Sequence, residues 1–160
     1  MPSESTLGIY IHVPFCVRKC PYCDFYSVPQ TAERIEQYGT VLCRFLRQMQ
    51  TDLPVDTIYF GGGTPSLLPV SLLEEILQTI ARTVSLQQPE ITLECNPATV
   101  NRETLRQLRE IGINRLSIGV QSLSDVQLKR LGRLHDAQTA IETVEQAAAA
   151  GFQNLSCYVM

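Results

Sequence analysis

No apolar run in this chain approaches the roughly 18 residues of a membrane span. The polar, acidic opening Met1–Leu7 (MPSESTL) has no apolar signal-peptide core either. Together these absences predict a cytoplasmic protein with no membrane span. Positive charge is thin as well: 13 Lys and Arg are scattered against 16 Asp and Glu, for a net charge of −3. Without a basic stripe, nucleic-acid binding is not expected, and the charges read as solvated helix faces. Linkers and low-complexity tracts are missing too. Residues 1–160 therefore read as one domain, and 44% hydrophobic residues suffice for a core.

A disulfide framework is also lacking. Cytosolic thiols stay reduced, so the six cysteines read as metal ligands plus buried thiols. Cys43, Cys95 and Cys157 lie far apart in apolar surroundings and are expected in the core. Cys16, Cys20 and Cys23 differ. They are spaced C-x3-C-x2-C inside Gly8 to Phe25 (GIYIHVPFCVRKCPYCDF). Thiolates this crowded cannot all pair, and on a four-metal cluster they leave one ligand position vacant. An iron with an open site can bind and activate a substrate, whereas a fully ligated cluster only passes electrons. The competing reading adds His12 to complete a Cys3His zinc site. Zinc sites usually draw on two separated ligand pairs, and these four ligands sit together at a strand end.

Elsewhere, short β-branched runs alternate with longer helical patterns. Gly8–His12, Thr57–Phe60, Ile91–Glu94, Arg115–Val120 and Asn154–Val159 read as strands. Four helical segments separate them. Their apolar stripes are Ile35, Tyr38, Leu42, Phe45 and Met49; then Leu72, Leu73, Ile76, Leu77 and Ile80; then Leu105, Leu108 and Ile111; then Ile141, Val144 and Ala148. Ser71 with Glu74 reads as a capping box, Asp136 as a cap, and Gly112 and Gly151 as helix stops. Strand, helix and strand in repetition predict right-handed βαβ units, hence an α/β fold with a parallel sheet. Asn154–Val159 would be an exposed edge, so the chain reads as a fragment of a longer protein or a marginally stable product.

In parallel α/β folds, function gathers on loops at the carboxyl ends of strands. The cysteine loop follows the first strand and Gly61-Gly62-Gly63-Thr64-Pro65 the second. Glu94, Asn96 and Pro97 end the third, and Gln121 ends the fourth. All would converge on one face. The glycine run is either a plain turn or a cradle whose backbone N–H groups approach a ligand. Glu94 is either a solvated strand end or an acceptor for sugar hydroxyls. Arg133 reads by default as a surface residue at a helix end.

The segments YIHVPFCVRKCPYCDF, YFGGGTPS, LECNP and RLSIGVQS, in this order, resemble the radical S-adenosylmethionine (SAM) superfamily. Within it they are similar to the branch of oxygen-independent coproporphyrinogen III oxidase and the heme chaperones. The resemblance implies the N-terminal portion of a partial (β/α)6 TIM-like barrel, with the remaining barrel units and a C-terminal domain absent. It implies that Cys16, Cys20 and Cys23 hold a [4Fe–4S] cluster whose fourth iron chelates SAM. Tyr10 and Tyr22 would flank the cofactor, and Gly62, Gly63 and Thr64 would contact its methionine end. Glu94 would contact its ribose, and Gln121 and Arg133 other polar groups. The implied chemistry is reductive cleavage of the sulfonium to a 5′-deoxyadenosyl radical.

Three departures narrow the resemblance. The oxidase carries a further cysteine where this chain has Phe25, and it has a longer segment before its first strand. Both features resemble the heme chaperone, so heme or a porphyrin and heme-acceptor proteins are the expected partners. Anaerobic decarboxylation of coproporphyrinogen III is the alternative. The third departure is Tyr158, which stands where the family carries a ribose-binding aspartate. His12 and His135 are the only histidines, so axial heme ligation has few candidates, and methionine or cysteine would have to serve otherwise.

Overall fold

The computed structural model describes residues 5–160, so most of the opening stretch Met1–Leu7 lies outside the described residues. Its frame is a five-stranded parallel sheet formed by β1 (Leu7–Val13), β4 (Val55–Gly62), β5 (Leu86–Cys95), β6 (Arg115–Gln121) and β7 (Asn154–Val159), in that spatial order. Between them run α1 (Ala32–Leu46), α2 (Val70–Thr83), α3 (Arg102–Glu110), α4 (Asp125–Arg130) and α5 (Ala137–Ala149). The five expected strands and four long helices are all present. The α/β architecture is that of a partial barrel, with sequential strands lying side by side.

Alternation along the strands decides which face becomes core. In β1, buried Ile11 and Val13 alternate with Tyr10 and His12; in β4, buried Ile58 and Phe60 alternate with Thr57 and Tyr59. The apolar set packs with Leu73, Ile76 and Ile80 of α2, Leu105 and Leu108 of α3, and Ala140 and Ala147 of α5. Fully burying each large aliphatic side chain contributes about 1.5–3 kcal/mol. The opposite face is polar. Tyr59 bonds Glu94 across strands, Arg115 pairs with Glu90 at 3.4 Å, and Ser156 donates to Ser117 at 3.1 Å. Parallel sheets covered on both faces carry apolar residues throughout. The polar face is therefore one that no apolar layer of the described residues covers.

Several local expectations need correction. Ser71 does not cap α2; the helix begins at Val70 behind Pro69, which has no side-chain cap bond. The Leu72 and Leu73 amides donate to the Pro69 carbonyl, which places Ser71 inside the first turn. Cys157 is not in the core but exposed on β7, which has only β6 as a described neighbour. Cys43 and Cys95 are buried as expected, and burial pushes the Cys95 thiol up to about 12. Asp136 accepts from the Thr139 amide as an N-cap, and Gly112 and Gly151 take positive φ beyond α3 and α5.

Other elements gave no periodic signal. Strand β5 starts at Leu86, five residues before the expected Ile91, through a Gln-Gln-Pro run that lacks alternation. Helix α4 has only six residues, too short to display a stripe. A two-residue parallel ladder joins β2 (Phe15–Cys16) to β3 (Val28–Pro29).

Candidate functional site: a cysteine-rimmed cleft at the carboxyl ends of the strands

The β2–β3 ladder turns Val17–Ser27 into a closed loop. Val28 N donates to Pro14 O at 2.7 Å, and Gln30 N donates to Cys16 O at 3.3 Å. Cys16 thus sits at the loop's fixed base. Cys20 and Cys23 are joined by a turn in which Cys23 N donates to Cys20 O at 3.1 Å. All three thiols are free and partly exposed. Among the described residues, no three His, Cys, Asp or Glu side chains converge as they would on a single metal ion.

The glycine loop after β4 is fitted to the base of the cysteine loop. Gly63 N donates to Val13 O at 2.8 Å. A Cβ on Gly63 would lie 2.7 Å from Phe15 O and 2.9 Å from Val13 O, backbone atoms that cannot swing aside. Gly62 has φ +110°, and a Cβ there would meet the His12 ring at 2.5 Å. Thr64 Oγ1 then lies 3.7 Å from Cys16 Sγ. This run is a turn, and the same glycines that turn the chain admit the base of the cysteine loop.

Glu94, half-buried at the end of β5, accepts from the Tyr59 hydroxyl at 2.8 Å and from Gly62 N at 3.2 Å. Gln121, at the end of β6, has φ +65°. It borders the same space.

Arg133 is not a solvated helix-end residue. It follows α4 and turns inward, donating to Gly119 O at 3.0 Å, Tyr22 Oη at 3.4 Å and Cys20 Sγ at 3.8 Å. Its buried Nε has no partner among the described residues. Burial raises the Tyr22 phenol, and the Arg133 guanidinium partly offsets that. Arg18 reinforces the contact by donating to Gly132 O at 2.6 Å.

These groups enclose a cleft of about 390 Å³, lined by Cys16, Cys20, Tyr22, Cys23, Gly62, Gly63, Thr64, Glu94, Gln121 and Arg133. The expected convergence on one face is therefore present. Tyr10 does not line this cleft. It stays largely exposed on β1 and stacks on Tyr59, with ring centroids 6.0 Å apart and planes at 22°. Asn96, Ser117, Phe25 and Tyr158 also line the cleft. The sequence assigns Tyr59 no site role, although alternation along β4 puts it on the polar face beside Tyr10.

Neither histidine reaches the cysteines. His12 Nδ1 lies 3.3 Å from Tyr10 Oη, and its Nε2 lies 3.2 Å from Tyr26 O. His135 is buried, with Nε2 3.1 Å from Val120 O and Nδ1 unpartnered among the described residues. Burial holds its imidazole below the ordinary value.

Comparisons with known proteins agree with this fold. The structure is similar to that of coproporphyrinogen III oxidase (HemN) from Escherichia coli, with a TM-score of 0.89 at 24% identity, over 98% of this chain and 37% of that one. In sequence, the chain is 37% identical to the heme chaperone HemW of Haemophilus influenzae over 171 residues, covering all of this chain and 44% of that protein. It is 38% identical to HemW of Escherichia coli K12, over 96% of this chain and 42% of the relative. The mitochondrial radical S-adenosyl methionine domain-containing protein 1 of Bos taurus is 33% identical, over 91% and 34%. The chain thus spans less than half the length of these curated relatives. The family model of the radical SAM superfamily matches residues 10–160, and the chain belongs to that superfamily.

Proposed function

We propose that this chain is the cofactor-binding core of a heme chaperone, a protein that binds heme and passes it to acceptor proteins in the cytoplasm. The observation that carries the reading is the single cleft onto which the three thiols, the glycine cradle, Glu94, Gln121 and Arg133 all open. Within the family, two features favour the chaperone over the oxidase: the named chaperones at 37% and 38% identity, and Phe25 in place of a further cysteine.

The residues present fit the family's cofactors. Cys16, Cys20 and Cys23 would each hold one iron of a [4Fe–4S] cluster. Thiolates on separate irons need not converge on one point, as they must around zinc. The pairing of both His12 ring nitrogens with Tyr10 and Tyr26 also disfavours a Cys3His zinc site. For SAM, Gly62, Gly63 and Thr64 would face the methionine end, and Glu94 would accept from the ribose. Gln121 and the unpartnered Nε of Arg133 would meet its other polar groups, with Tyr22 at its flank. Tyr10 would act from outside the cleft lining, through its stack on Tyr59. When bound, cluster and SAM supply one-electron chemistry at the sulfonium carbon–sulfur bond. The chain orients the cofactor, and the cysteine loop shields it from water.

His12 is hydrogen-bonded through both ring nitrogens and His135 is buried, so axial heme ligands within this chain are few, with methionine or cysteine as the further candidates. The deciding experiment measures iron, sulfide and zinc after anaerobic reconstitution, then absorption and EPR spectra with and without SAM. About four irons and four sulfides per chain, as a cubane requires, with a SAM-dependent spectral change, are expected. Stoichiometric heme binding without coproporphyrinogen III turnover then supports the chaperone, whereas turnover supports the oxidase. Zinc without sulfide would replace both with a structural metal site.

A further inference from the structure

Glu94 has both carboxylate oxygens engaged by donors from β4. Tyr59 Oη donates to Oε1 at 2.8 Å, and Gly62 N donates to Oε2 at 3.2 Å. A free glutamate samples several staggered rotamers. Two donors placed on either side of one carboxylate select a single orientation and leave each oxygen a lone pair directed elsewhere. Of the two, Gly62 N is set by the cradle backbone, and Tyr59 is the only side chain.

Tyr59 is itself firmly held. Its ring stacks on Tyr10, and its hydroxyl lies 3.4 Å from that of Tyr158, which lines the cleft. Burial, followed by the hydrogen bonds to Tyr158 and Glu94, pushes the Tyr59 phenol far up. It therefore remains a protonated donor across the physiological range.

We propose that Tyr59 is a positioning residue that locks the Glu94 carboxylate to receive a vicinal diol, the ribose of a nucleoside ligand in the cleft. The inference rests on the reading of Glu94 as the ribose acceptor. Tyr59 acts through Glu94 and need not touch the ligand. Its contribution is to remove the rotamer freedom that Glu94 would otherwise lose on binding.

The test crosses two ligands with three proteins. The ligands are S-adenosylhomocysteine and its 2′,3′-dideoxy counterpart, titrated calorimetrically into the reconstituted chain, Tyr59→Phe and Glu94→Gln. The parent is expected to prefer the diol. Tyr59→Phe, which keeps the ring and its stack, is expected to lose about two- to tenfold in affinity for the diol ligand, the scale of immobilising one rotamer-rich side chain on binding. It should lose nothing for the dideoxy ligand. Equal losses for both would mean that Tyr59 only supports packing, which overturns the proposal. If Glu94→Gln erases the diol preference while Tyr59→Phe retains it, the positioning inference falls and the Glu94 reading stands. A parent that binds neither ligand, or both equally, removes the Glu94 reading and the inference with it.

Discussion

Arg133 donates through Nη1 to Cys20 Sγ at 3.8 Å, although 113 positions separate the two residues. The same guanidinium holds Gly119 O at 3.0 Å, so one side chain ties the cysteine loop to the end of β6. Replacing Arg133 with Met keeps much of its apolar stem and removes all of these donors. A loss of about 1–3 kcal/mol is expected from the unsatisfied acceptors. Chemical denaturation measures that loss. In the reconstituted chain, SAM affinity should fall as well, and an unchanged affinity would remove Arg133 from the cofactor site.

Cys20→Ala is expected to abolish the cluster, since two remaining thiolates hold too little of a cubane. Cys43→Ala, on the buried face of α1, should leave iron and sulfide unchanged. Full metal content in the first variant, or loss of it in the second, would show that the ligand set is misassigned.

Gly63→Ala places a methyl against Phe15 O and Val13 O, both backbone and both under 3.0 Å away. The cysteine loop must then lift from its base. Overpacking of this kind costs about 1–3 kcal/mol. Cluster content after reconstitution should drop together with thermal stability. Gly112→Ala meets nothing within 4 Å but sits at φ +103°, so it should lower stability without altering cluster content.

His135 supplies a pH dependence. Its folded pKa lies below the ordinary 6.5 because burial disfavours the imidazolium. The unfolded state therefore binds the proton first as pH falls. Stability from this residue is complete above about 6.5 and declines as pH drops from there toward the folded value. His135→Gln should flatten the slope of denaturation free energy between about pH 7 and 5, the window around the ordinary histidine value. An identical slope in the variant would place the acid sensitivity elsewhere.

Much of this protein was legible from local pattern. Five β-branched runs and four apolar stripes specify a parallel α/β sheet because periods of 2 and 3.6 place side chains on defined faces. The C-x3-C-x2-C spacing, the glycine run, Glu94 and Gln121 were readable because strand ends in such folds converge on one side. The Ser71 cap misled because Pro69 starts α2 two residues earlier. Cys157 misled because apolar neighbours in sequence do not cover an edge strand.

What the sequence determined by itself is the set of chemical groups and the face on which they stand. The tertiary structure alone decided their partners. That Arg133 points inward to Cys20, that Tyr59 bonds Glu94, and that Tyr10 stacks on Tyr59 all depend on contacts between distant positions. Their cause is long-range: strands β4, β5 and β6 must pair in register, and the β2–β3 ladder must close the cysteine loop, before these side chains meet.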